Sequence, residues 1–187
     1  MSKLDLLITK TEFLKARARA AEILTRAGIV LTDREKKKIE VADLGLGDLE
    51  NIGLEIAVYI NTKRCCAKEL VLFPGQICPE HSHPDIRGKP GKEETFRCRK
   101  GIIYLYVPGR ITKNPKAKVP KKYKKYLTVW HEIILKPGQQ RTIPPNTRHW
   151  FQSGPAGAIV SEFSTASHDK KDIFTDPHIK RTTKTRK

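Results

Sequence analysis

The 187-residue chain is short of acidic residues, cysteine, methionine and long apolar runs, and each shortage removes a class of protein. Its four cysteines are an adjacent pair, Cys65-Cys66, and two isolated residues, Cys78 and Cys98, so no C-x-x-C spacing occurs. A zinc knuckle or thioredoxin-like redox motif is thereby excluded, and reduced, buried thiols are expected. No apolar run approaches the roughly 20 residues of a membrane-spanning helix. Asp5 and Lys10 interrupt the N-terminal apolar stretch too early for a signal peptide, so a soluble cytoplasmic protein is expected. No Gly-rich phosphate loop is present. A single Met beside abundant Lys and Arg hints at a thermophilic source.

Acid is scarce enough (20 Asp and Glu against 37 Lys and Arg) to leave a formal net charge of +17. Such a balance raises the question of nucleic acid. The excess, however, gathers in two stretches. Residues 113–125 carry seven lysines, and residues 180–187 carry five basic residues. Neither is interleaved with the aromatics and glycines of a common RNA-binding motif. The expectation is a solvated loop and a frayed tail, without a nucleic-acid partner.

Residues 10–27 place Phe13, Ala16, Ala20, Ile23 and Ala27 at helical spacing before Gly28, and a second short helix is predicted from Thr32-Asp33 to about Val41. From Leu54 onward the pattern changes to short Val/Ile/Tyr/Phe runs separated by Gly, Pro and Asn. Strands are predicted at 54–61, 68–74, 77–83, 94–99, 102–107, 127–135, 141–143, 148–153 and 157–163. The expected architecture is mainly β, a sandwich or barrel. It divides into an N-terminal helical extension (1–50), a β-barrel (51–165) and a C-terminal segment with a basic tail (166–187). The N-terminal helix would cover a barrel face or mediate a dimer contact, and a homodimer is expected.

What stands out is a set of three imidazoles and a carboxylate. His81 and His83 are separated by one residue and so share a strand face. Glu94, Phe96 and Cys98 share one face of the next strand, while Thr95, Arg97 and Arg99 share the other. Parity therefore selects Glu94 over Glu93. Later, His149 and Phe151 face one way, with Arg148, Trp150 and Gln152 opposite. Three neutral nitrogens and one carboxylate oxygen suit a divalent transition metal and leave coordination positions open for a substrate. His131, His168 and His178 are not expected to be ligands.

The spacing resembles two motifs of the cupin superfamily: Gly75, five residues, His81-x-His83, later Glu94 and Gly101; then Gly138, five residues, Pro144-x-Asn146 and His149. Two departures are evident. Ten residues separate His83 from Glu94 where cupins have three or four, and Asn146 and Ser153 replace the usual Gly and Asn. The long interval, with His131 to Gly138, Ile143 to Gln152, Val160-Ser-Glu-Phe-Ser-Thr165 and Asp172 to Pro177, resembles the cupin-type D-lyxose isomerases over roughly residues 70–180. The resemblance implies a double-stranded, jelly-roll-like cupin barrel with ligands pointing inward. It further implies interconversion of D-lyxose with D-xylulose and of D-mannose with D-fructose, with Mn²⁺ preferred over Co²⁺, Fe²⁺ or Zn²⁺.

Such an isomerisation needs a base that can reach carbon. Glu162 shares parity with Ala158 and Val160, a carboxylate on an otherwise apolar face, and is the candidate. Lys92, two residues before Glu94, could donate to a substrate oxygen or relay a proton. Trp150 and Phe174 are candidate walls of the sugar pocket. The alternatives are a cupin dioxygenase using Fe(II) and a non-catalytic metal-binding sugar sensor.

Overall fold

A computed structural model describes residues 7–186. Thr9 starts the first helix, its hydroxyl accepting from the Glu12 amide while the Glu12 carboxylate accepts the Thr9 N–H. This reciprocal cap satisfies two donors that a helix start leaves free. Helix α1 (Lys10–Arg26) buries Ala16, Ala20 and Leu24. These side chains are small or branched at four-residue spacing, so the helix lies close against Ala57, Val71, Phe73 and Ile159 on the outside of a sheet. Helix α2 (Asp33–Lys38) has the same cap from Thr32 and Glu35. It stops short of Val41 because buried Ile39 and Val41 belong to that same outer cluster, and the chain extends into strand β1 (Glu40–Ala42).

Among the described residues the remaining strands are β2 (Leu54–Asn61), β3 (Cys66–Leu72), β4 (Ile77–Ser82), β5 (Glu94–Val107), β6 (His131–Leu135), β7 (Gln140–Ile143), β8 (His149–Ser164) and β9 (Ile173–Phe174). They form one curled antiparallel sheet in the order β1-β2-β3-β8-β4-β9, with β5 paired to β6, β7 and β8. The second half of β8 lies between β3 and the start of β5, and its first half between β4 and the end of β5. Two strands thus serve both faces of the barrel. Leu54, Ile56, Leu70, Phe96, Leu105, Phe151 and Val160 fill the space between.

Sequence punctuation predicted four short strands where the structure has two long ones. Gly101 and the Gly154–Gly157 stretch were expected to end strands, but the β5–β8 ladder continues past them with shifted register. The predicted strand at 127–135 begins only at His131. The lysine-rich loop contains a short helix, α3 (Lys121–Lys124), whose buried Tyr123 donates to Asp48 Oδ2 at 2.6 Å. That loop packs on the outer face of β5 and β8, where Trp150 is fully buried and stacks on Tyr106 at 4.0 Å. Among the described residues the C-terminal segment is tied down as far as Arg186. Lys180 N–H donates to Leu44 O, Thr183 Oγ1 to Val41 O, and Arg186 N–H to Ile8 O.

The register shift depends on Gly101 and Gly157, which face each other at positive φ. Gly101 has φ +77°, and a Cβ there would lie 2.1 Å from Gly157 O. Gly75 has a similar φ of +73° but open space around it. Gly75→Ala should therefore cost only the left-handed backbone penalty, about 1 kcal/mol. Gly101→Ala should add a backbone clash and cost about 3 kcal/mol or more. Thermal denaturation checks this: a smaller loss of Tm for Gly101→Ala than for Gly75→Ala would contradict the account.

Candidate metal centre and catalytic cavity

His81 and His149 are cross-strand partners on β4 and β8, which sets their ring centroids 4.3 Å apart. His83 follows the end of β4, with its ring 4.9 Å from that of His81. Glu94 opens β5. The four side chains are buried, and one donor atom from each falls within 4.8 Å of the others.

The far side of each imidazole is already committed. His81 Nδ1 lies 2.8 Å from Pro79 O, His149 Nδ1 lies 2.9 Å from Thr147 O, and His83 Nδ1 lies 2.7 Å from Asp172 Oδ1. A carbonyl can only accept, so His81 and His149 carry their proton on Nδ1 and turn an Nε2 lone pair inward. For His149 that lone pair is fully buried and has no hydrogen-bond partner, although Glu94 Oε1 lies 2.8 Å away. Two electron-rich atoms at that separation repel unless a cation lies between them or beside them. The same Glu94 oxygen is 2.9 Å from His83 Nε2. An orphaned acceptor, three oriented imidazoles and a carboxylate fit a divalent metal, and the outer hydrogen bonds are those that orient metal ligands.

The titration behaviour has the same cause. Burial drives His81 well below its ordinary pKa, and the charge on the neighbouring His83 adds to the effect. Burial opposes the charge on His83 too, but the Asp172 and Glu94 contacts outweigh it and hold that imidazole at about 9. Glu94 stays well below the usual carboxylate range despite burial, chiefly because the Lys92 ammonium beside it favours its anion. Cys78 also lines the cavity but stands outside the four-residue donor cluster, and burial pushes its thiol far up.

Next to the four candidate ligands runs a chain of buried ion pairs. Lys92 Nζ contacts Glu94 Oε2 at 2.6 Å and Glu162 Oε1 at 3.0 Å. Burial works against the Lys92 charge, but Glu94 and Glu162 raise its pKa well above the ordinary value and keep it an ammonium. Lys68, opposite Glu162 on β3, lies 3.5 Å from Glu162 Oε1 and 2.9 Å from Asp169 Oδ2. Arg181 closes the chain on Asp169 at 3.2 Å, with Glu40 as its second partner. Phe174 walls the cavity, with its ring 5.5 Å from that of His81.

The structure brings His81, His83, Glu94, His149, Lys92, Glu162 and Phe174 together. It does not bring Trp150. Parity already set Trp150 opposite His149, and its indole N–H donates to Val129 O at 2.8 Å on the far side of the sheet. Sequence reasoning missed Lys68, Asp169, Asp172 and Arg181. Lys68 had a signal, since it shares strand parity with Leu70 and Leu72. Asp169 opens a single 3-10 turn and Asp172 and Arg181 lie in irregular chain, so none had a periodic signal, although Asp172 begins one of the runs that carry the family resemblance.

A bound ion should stabilise the fold by mass action, about 4 kcal/mol at a thousandfold excess over Kd. Chelation should therefore lower Tm, and His149→Ala should abolish both that difference and the retained ion, expected at one per chain by elemental analysis. A wild-type Tm indifferent to chelator and to added divalent ions would contradict the assignment.

A scan of protein-family models finds no match to this chain. Among curated proteins it is 62% identical over 175 residues to the D-lyxose ketol-isomerase of a Thermofilum species, covering 94% of this chain and 97% of that protein. It is 61% identical over 175 residues to the D-lyxose/D-mannose isomerase of Thermosediminibacter oceani, with the same two coverages. Among solved structures, the L-ribose isomerase of an Acinetobacter species superposes with a TM-score of 0.80 at 14% identity, over 94% of this chain and 96% of that one. That likeness establishes the cupin-like fold, and the curated relatives establish the kinship: the chain belongs to the D-lyxose isomerase family.

Proposed function

We propose that this chain interconverts D-lyxose with D-xylulose, and D-mannose with D-fructose, by proton transfer between C2 and C1, using Mn²⁺ held by His81, His83, Glu94 and His149. The observation that carries the reading is the buried Glu162–Lys92–Glu94 chain, which sets a carboxylate and an ammonium beside the ligand cluster in one cavity. The bound divalent ion would supply Lewis acidity to the sugar oxygens at C1 and C2. Co²⁺, Fe²⁺ and Zn²⁺ are its competitors for a donor set of imidazole and carboxylate.

In the aldose-to-ketose direction Glu162 takes the C2 proton, an enediol forms, and the same carboxyl returns the proton to C1. The hydroxyl proton passes from O2 to O1. Lys92 remains an ammonium and acts as a donor to a sugar oxygen, while its contact with Glu162 aims the carboxylate at carbon. Asp172 fixes the His83 ring from behind. Phe174 and the apolar barrel wall exclude water from the face where carbon is deprotonated. The isomerase names of the relatives favour this chemistry over the dioxygenase and sensor alternatives.

The test is Mn²⁺-loaded protein with D-lyxose in D₂O. D-Xylulose carrying solvent deuterium at C1 is expected, and Glu162→Gln should lower kcat about a thousandfold with the ion retained. No ketose with Mn²⁺, Co²⁺ or Mg²⁺ would sink the assignment. Product without solvent deuterium would instead implicate a hydride shift.

A further inference from the structure

The ten-residue interval between His83 and Glu94 builds more than a connection. Ile86 N–H donates to Lys89 O at 2.9 Å and Lys89 N–H to Ile86 O at 3.1 Å, with Arg87 at φ +51° and Gly88 at φ +74°. This is a two-residue reverse turn of the kind that favours Asn-Gly, because both positions need positive φ. Arg87 occupies the first at a conformational cost of about 1 kcal/mol that Gly or Asn would avoid. Asp85 braces the turn by accepting from Gly91 N–H at 2.9 Å and Asn146 Nδ2 at 2.8 Å. A strained residue in a braced loop invites a reason for its side chain.

The turn forms one wall of a cavity of about 470 Å³ that meets the catalytic cavity at Lys92 and Asp172, which line both. Six of its fifteen lining residues are Lys or Arg, against 37 of 187 in the chain. Lys92 is paired inside with Glu94 and Glu162. The other five, Lys63, Arg64, Arg87, Lys89 and Lys171, have no salt-bridge partner among the described residues, and the single acid in the lining, Asp172, is held by His83. Free pentoses and hexoses are neutral and make no demand for such a field. An anion does.

We propose that this vestibule is an anion subsite that takes the terminal phosphate of a sugar monophosphate whose carbonyl end enters the catalytic cavity. The inference rests on the sugar-isomerase reading of that cavity. Arg87 and Arg64 offer planar, multiple donors and Lys63, Lys89 and Lys171 point charges, the two forms in which proteins bind phosphate. A reaction that consumes the free ketose by phosphorylating its terminal hydroxyl would return such an ester here as a ligand competing with the neutral sugar.

Calorimetry on the Mn²⁺-loaded enzyme with D-fructose 6-phosphate, D-fructose and inorganic phosphate tests this, with D-lyxose turnover measured on the same sample. The ester should bind at least tenfold more tightly than D-fructose, inorganic phosphate should displace it, and the advantage should shrink as salt is raised. Arg87→Gly/Lys89→Gln, which relieves the positive-φ cost at 87, should lose most of the advantage while KM for D-lyxose and Tm stay near wild type. An ester that binds no tighter than D-fructose, or an advantage that survives in the double variant and in high salt, would overturn the subsite. If no free sugar is turned over yet the ester keeps a salt-sensitive, Arg87-dependent advantage, the isomerase reading fails and the subsite stands.

Discussion

Charge buried in an apolar barrel is the constraint on which the rest of this structure depends. Glu94 and Glu162 project into a space whose apolar lining includes Leu54, Ile56, Leu70, Phe96 and Phe151. Burying an isolated carboxylate costs at least several kcal/mol. Each anion is therefore met by a buried cation: Lys92 touches both, Lys68 meets Glu162 and Asp169, and Arg181 meets Asp169. Asp172 has no lysine or arginine partner among the described residues; it meets His83 instead. The Asp172 and Glu94 carboxylates on either side of His83 hold it at about 9, so it carries a proton at neutral pH when no ion is bound. A divalent ion would replace that proton, so metal binding and proton release are linked through one residue.

The need to pair these charges explains the path of the C-terminal segment. Lys68 anchors Ser167 and Asp169, Asn61 exchanges hydrogen bonds with the Ser167 backbone, and Asp172 reaches His83. Strand β9 then adds Phe174 beside His81, and Arg181 returns to Asp169. Residues 165–181 thus form one side of the cavity and neutralise it at once. A basic tail read from composition becomes a structural wall because its arginine has a buried partner.

What the sequence made legible follows from the range of the signal. Strand alternation is local, so it separated Glu94 from Glu93, aligned His149 with Phe151, and put Glu162 on an apolar face. Helix α1 was legible within a residue from the spacing of its alanines. The long strands were not, since Gly101 and the Gly154–Gly157 stretch look like chain breaks until β5 and β8 lie side by side and absorb the excess as a register shift. Asp169, Asp172 and Arg181 reach the site through tertiary closure from a segment without periodicity. Trp150 shows the opposite error: aromatic character suggested a sugar wall, while its parity already assigned it to the packing of the 113–130 loop.

The loop after His83 shows how one segment can meet two demands. A gap of three or four residues can turn the chain but leaves no room for a side chain that re-enters the cavity before Glu94. Here the chain leaves His83, reverses at Arg87-Gly88, and passes so close to its own start that a Cβ on Gly91 would lie 2.1 Å from His83 O. That close passage delivers Lys92 inward, within 2.6 Å of Glu94, while the apex holds Arg87 and Lys89 outward on the rim. Lengthening the loop therefore supplies both the ammonium inside the cavity and the positive field at its mouth. Shortening it to the usual cupin interval would remove both together and leave Glu162 beside the candidate ligands without its inner ammonium.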